Sequence, residues 1–130
     1  MDRLRPFFKR YGAAFETYDA DAVAAYYVLP CLFVRDGATV AVATREGVVE
    51  SVEALLEVHR GWDVQIARPA AVALLEQGPG HALARVDWRL GRKESRLAWS
   101  FSTTYALVPG ADDWEQDWQI AAAVTHDSPF

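Results

Sequence analysis

Thiols, lysines and long apolar runs are what this chain has least of. Cys31 is its single cysteine, so no internal disulfide can form. Neither a run of about eighteen apolar residues nor a charged-then-apolar leader occurs, so no membrane span and no export signal are expected and a cytoplasmic location is. Positive charge is sparse and scattered. Lys and Arg number 13 against 18 Asp and Glu, giving a net charge of -5. Phosphate backbones are held by clustered Lys and Arg, and no such stripe is present, so nucleic acid is not an expected partner. Two lysines accompany eleven arginines and much alanine, in keeping with a GC-rich bacterial genome.

Chemical motifs are equally scarce. There is no Gly-rich phosphate loop, and the Ser-rich "SFSTT" lacks the tight context of a nucleophile elbow. No three histidines or carboxylates have a metal-ligand spacing, so zinc or iron is not expected, nor any other cofactor. The acidic "DDWEQDW" starts in a turn and then alternates, which is the pattern of solvated charges around packed tryptophans. No repeat, low-complexity segment or linker divides the chain, and one domain over residues 1–130 is expected.

Aromatic residues are plentiful: five Trp, five Tyr and six Phe in 130 residues. Apolar ligand pockets are walled with such side chains. Phe7, Phe8, Tyr11, Phe15 and Tyr18 recur at three and four, predicting a helix over 6–18 with Pro6 in its first turn. Asp19 reads as the N-cap of a second helix, "ADAVAAYYV", with Pro30 as its stop. Asp36-Gly37 between β-branched runs signals a hairpin. Thr44 can cap a third helix whose stripe carries Val48, Val52, Leu55, Leu56 and His59, with a left-handed stop at Gly61. Four strands follow, about 64–76, 81–91, 95–108 and 114–124, joined by the short turns "GPG", "GRKE" and "PGADD". Helices segregated from an antiparallel sheet make an α+β domain.

In this order the segments "FFKRYGAAFETYDADAVAAYY", "LPCLFV", "TREGV", "RVDWRL", "STTYAL" and "WQIAAA" together resemble the nuclear transport factor 2-like superfamily, most closely its polyketide-cyclase-like (SnoaL-like) branch. The resemblance spans nearly the whole chain and lies in element order and hydrophobic pattern. It implies a cone: a curved antiparallel sheet wrapped around three helices, an apolar interior that often holds a small molecule, and frequently a dimer formed through the sheet. Ketosteroid isomerases of that superfamily place an aspartate base on the strand after the second helix. Here that stretch is the apolar "CLFV" and Asp36 falls in the turn, so steroid isomerase chemistry is not expected. No motif matches the scytalone dehydratases position by position.

Strand alternation then sorts the residues by face. Ala82, Ala84, Val86, Trp88 and Leu90 form one set, with His81, Leu83, Arg85, Asp87 and Arg89 opposite. The next strand sets Trp99, Phe101, Thr103, Tyr105 and Leu107 inward, and the last sets Trp118, Ile120, Ala122 and Val124 inward. Asp87 therefore belongs outside, between Arg85 and Arg89. The small polar outer face suits a homodimer through the sheet.

His59 is the foremost candidate for chemistry, because a titratable ring on an apolar stripe can act as acid, base or donor inside a cone. A histidine so placed is more often a satisfied core residue. Tyr105 is its expected partner in proton transfer. The ligand-lining candidates are Tyr11, Phe15, Tyr27, Phe33, Trp62, Trp88, Trp99, Phe101, Thr103 and Trp118; such residues are more often core, and it is their convergence that points to a pocket. Two functions stay open: a cone binding a small apolar molecule, with cofactor-free cyclase, dehydratase or isomerase activity, or a non-catalytic dimeric ligand-binding or protein-interaction module.

Overall fold

The computed structural model describes residues 3–94, 98–110 and 118–126. The strand starts expected at 95 and 114, and the acidic residues 112–117, lie outside them. Among these residues three helices, α1 (Leu4–Glu16), α2 (Ala20–Ala24) and α3 (Arg45–Gly61), accompany six strands. These are β1 (Tyr27–Arg35), β2 (Ala38–Val42), β3 (Ile66–Gly78), β4 (His81–Gly91), β5 (Ala98–Pro109) and β6 (Trp118–His126). They form one curved, unclosed sheet in the order β2-β1-β6-β5-β4-β3. The later four strands are the antiparallel meander the turns predict, and β1 joins it by pairing parallel to β6. Among the described residues no helix is long and apolar enough to cross a membrane.

The aromatic spacing that predicts α1 buries Phe7, Phe8, Tyr11 and Phe15 against the sheet. Gly12 makes that approach close: a Cβ there would lie 2.5 Å from the carbonyl oxygen of Ala67 and 3.0 Å from the Trp88 ring. Glu16 secures the same contact, its carboxylate accepting the Ala67 N–H at 2.8 Å. Tyr18 then turns the chain with φ 58°.

Asp19 does cap α2, accepting from the Asp21 and Ala22 N–H groups at 3.0 and 3.3 Å. The helix is shorter than expected, however, and Pro30 is not its stop. α2 ends at Ala24, and Pro30 lies within β1 after a cis bond from Leu29. Sheet pairing overrides the helical propensity of "AAYYV": Tyr26 accepts the Ile120 N–H at 2.8 Å and Tyr27 pairs with Ile120. The β1–β6 register breaks between Tyr27 and Leu32, so the proline, which has no N–H, falls where no ladder bond is needed.

Asp36 and Gly37 take φ 52° and 78°, as the hairpin signal requires. Thr44 caps α3 by accepting from the Gly47 N–H at 3.1 Å. The left-handed residue after α3 is Asp63 (φ 54°) rather than Gly61, because the helix runs through Gly61 and Val64 returns its N–H to the His59 carbonyl at 2.9 Å.

β4 follows the predicted alternation: Ala82, Ala84, Val86, Trp88 and Leu90 are all buried. In register with it, Phe101 faces Trp88, Thr103 faces Val86 and Tyr105 faces Ala84. β6 departs from expectation. A bulge lies between the pairs Ala106–Ala122 and Leu107–Ile120, so Ala121 is an extra residue. Ile120 still points inward, but beyond the bulge Ala123 and Thr125 are the inward residues, and Ala122 and Val124 turn outward. The exposed edge strand β3 carries two bulges and Pro69, devices that discourage pairing with another chain.

Candidate functional site

The cone is packed solid at one end and open inside at the other. Phe7, Phe8, Leu107 and Ile120 are fully buried. Toward the β1–β2 hairpin a cavity of about 500 Å³ remains, bounded by side chains from α1, α3 and the concave sheet face. Its size and largely apolar wall are those of a small-molecule pocket.

Most of the candidates named from the sequence meet here. From the helices come Tyr11, Phe15 and His59. Tyr27, Phe33 and Trp88 come from β1 and β4, while Phe101, Thr103 and Tyr105 extend along β5. Three tryptophans lie away from the lining. Trp62 and Trp99 stack edge-to-face, 4.9 Å between centroids, beneath the Arg92 guanidinium. Trp118 opens β6 opposite Pro109. Trp99 and Trp118 sit at strand ends and Trp62 at the end of α3, and none of the three lines the cavity.

The floor is a cluster of hydroxyls. Tyr11 and Tyr27 hydrogen-bond through their hydroxyl groups. The Trp88 Nε1–H donates to the Tyr105 hydroxyl at 2.9 Å. Burial pushes all three phenols well above their ordinary range, and the neighbouring Tyr105 hydroxyl adds to the rise for Tyr11 and Tyr27. They remain neutral donors at any working pH. Their rings interlock, Phe8 lying 4.8 Å from Tyr105 and Tyr11 lying 6.0 Å from Trp88.

His59 reaches the cavity on the same face of α3 as Ser51 and Leu55, at intervals of four residues. It is only 4% exposed and stacks on Phe15 at 5.5 Å. Burial, and after it the charge of Arg35, lower its pKa to about 4, so the ring is neutral near pH 7 and can accept a proton or a hydrogen bond. The other histidines are elsewhere: His81 meets Glu76 at 2.8 Å, and His126 meets Thr104 at 3.0 Å on the outer face.

Asp87 is on the outer face, as alternation predicts. It accepts from the Ser102 hydroxyl at 2.7 Å and lies 3.4 Å from Arg85, and these contacts, Ser102 foremost, lower its pKa. The predicted second arginine, Arg89, instead faces Arg68 and Ser100 across the ladders.

Several lining residues were not singled out from the sequence: Arg35, Asp36, Ser51, Ala123 and Thr125. Two periodicities reach two of them, Arg35 and Ser51. Cys31, Phe33 and Arg35 alternate on one face of β1, and Ser51 precedes Leu55 and His59 by whole steps of four.

A curved sheet folded over helices around an aromatic cavity is the architecture of the nuclear transport factor 2-like cones. The chain belongs to the family described as NTF2-like protein (DUF6841), whose pattern matches residues 2–128. No curated protein matches it. Among solved structures it is similar to ActVI-ORFA from Streptomyces coelicolor, at 19% identity over 94% of this chain and 93% of that one, with a TM-score of 0.68. Aln2 from a Streptomyces species is similar at 14% identity over 93% and 85%, with a TM-score of 0.69. An NTF2-like protein with a cystatin-like fold from Novosphingobium aromaticivorans gives 16% identity over 94% and 77%, with a TM-score of 0.68. At these identities the likeness is one of fold.

Proposed function

We propose that the protein binds a small, flat, largely apolar molecule inside the cone. One observation carries this reading: a cavity of about 500 Å³ whose wall is aromatic and whose floor presents neutral hydroxyl donors. The solid end fixes the floor, so the donors are held in place before any ligand arrives, which lessens the ordering needed on binding. A ligand oxygen at the tyrosine cluster and a ring system against Trp88 and Phe101 would satisfy both parts.

The neutral imidazole of His59 favours a second reading, cofactor-free proton transfer of the cyclase, dehydratase or isomerase kind. His59 would take the proton, and the Tyr105 hydroxyl would donate to the oxygen on which charge develops. The similarity to the polyketide-cyclase-like branch agrees with this chemistry. The mutual pairing of the floor hydroxyls supports plain binding instead.

We also propose a homodimer through the outer sheet face, where Ser100, Ser102, Thr104 and Ala106 of β5 present small side chains.

Native mass spectrometry of gently purified protein tests the binding reading, which predicts one retained small molecule per chain. A bare chain that also takes up no aromatic probe contradicts it. With the retained molecule identified, His59→Ala should abolish its conversion and leave its binding; unchanged conversion excludes His59 as the base.

A further inference from the structure

Among the described residues lining the cavity, two carry formal charge at neutral pH, Arg35 and Asp36, and they are not equivalent. The Asp36 side chain is 75% exposed in the hairpin turn, while that of Arg35 is 33% exposed and belongs to the inward face of β1. Strand pairing sets Arg35 beside Thr125, and Thr125 beside Thr103. One rung of the concave face therefore reads guanidinium, hydroxyl, hydroxyl, and all three residues line the cavity. On its floor side the next inward residues are Phe33, Ala123 and Tyr105, and on its other side Phe101 and Trp88. A cationic rung thus borders an aromatic slot.

We propose that the cavity takes a small monoanionic acid, its carboxylate seated on the Arg35–Thr125–Thr103 rung and its flat apolar body between Phe33, Trp88 and Phe101. This rests on the binding reading above and names its ligand class. The contact between Arg35 Nε and the Asp36 carboxylate is 3.6 Å long and faces solvent, where such pairs add little. A carboxylate inside the apolar wall would be shielded from water and could meet the guanidinium through two parallel N–H groups, the stronger geometry. The charge of Arg35 is felt inside the cavity, since it helps keep His59 unprotonated.

The test is fluorescence titration with 2-naphthoate and its neutral isostere 2-naphthamide. Loss of a charged hydrogen-bond partner is worth about ten- to a hundredfold in affinity, so the naphthoate should bind tighter than the amide by that factor. Arg35→Gln should erase the preference by weakening the naphthoate alone, and retained amide binding certifies the fold. Should Arg35→Gln not fold, Arg35→Lys decides: a naphthoate preference that is kept but reduced supports the proposal, and one that is unchanged overturns it. Equal binding of both probes, unaltered by Arg35→Gln, overturns the anion proposal while leaving the binding reading intact. Binding of neither probe overturns both.

Discussion

The indole of Trp88 donates to the hydroxyl of Tyr105, 2.9 Å away, although the two residues are not cross-strand partners. Trp88 pairs with Phe101 and Tyr105 with Ala84, so the bond runs diagonally along the concave face and ties β4 to β5 at the cavity floor. Both side chains are buried. Tyr105→Phe removes the acceptor and strands the donor, which should lower unfolding free energy by about 1–3 kcal/mol. Urea denaturation checks this. The double change Trp88→Phe with Tyr105→Phe should lose less than the sum of the single changes, because no polar group is then left unpaired.

Two glycines should respond oppositely to alanine. At Gly12 the new Cβ would meet the backbone oxygen of Ala67 at 2.5 Å, so α1 must shift off β3, and a loss of about 1–3 kcal/mol is expected. At Gly61, the last residue of α3, the Cβ enters open space, and Gly61→Ala should be neutral or stabilising by up to about 1 kcal/mol. Thermal melts of both variants give the comparison.

His59 should make stability depend on pH in a defined window. Its folded-state pKa is depressed to about 4 from 6.5, so between those values the unfolded chain binds the proton and the folded chain does not. Stability is complete above pH 6.5, falls as pH drops through 6.5 toward 4, and loses no more from this group below that. The depression corresponds to a contribution on the order of 3 kcal/mol. Unfolding curves at about pH 7.5 and about pH 4.5 should differ less in His59→Leu than in the parent; an equal difference would mean the ring titrates normally.

The outer-face proposal predicts a solution mass of two chains by analytical ultracentrifugation. Ser102 hydrogen-bonds Asp87 at the centre of that face, and Ser102→Arg should yield a monomer with unchanged ligand binding. A dimer that survives the substitution places the interface elsewhere.

The fold was legible wherever one periodicity ruled a whole element. β4 alternates from His81 to Leu90 without interruption, and so its faces, and the outward place of Asp87, follow from the sequence alone. The stripe of α1 and the caps at Asp19 and Thr44 are likewise local signals with local causes. What escaped depends on partners distant in sequence. The bulge at Ala121 reverses the faces of Ala122 to Thr125, and nothing in "WQIAAAVTH" marks it. Pro30 reads as a helix stop until the parallel pairing of β1 with β6 is known. The site was legible as an aromatic set, but the division between packed and hollow parts was not. Trp99 and Phe101 share one parity, and only the position of Trp62 after α3 decides which of them lies outside the cavity. Arg35 shares the parity of Cys31 and Phe33, but parity alone does not single it out, because a charged residue beside a turn is ordinarily solvated.

The central claim is that the hollow half of the cone is a ligand site, and its most direct test is an NMR titration of isotope-labelled protein with 2-naphthol. Binding in the cavity should shift the amides of Phe33, Ser51, Phe101 and Thr125, saturating at one equivalent. Leu55→Trp, which fills the cavity from α3, should abolish those shifts while the protein stays folded. Shifts that cluster instead on outer-face amides such as Arg85 and Ser102, or that persist in Leu55→Trp, would contradict the account.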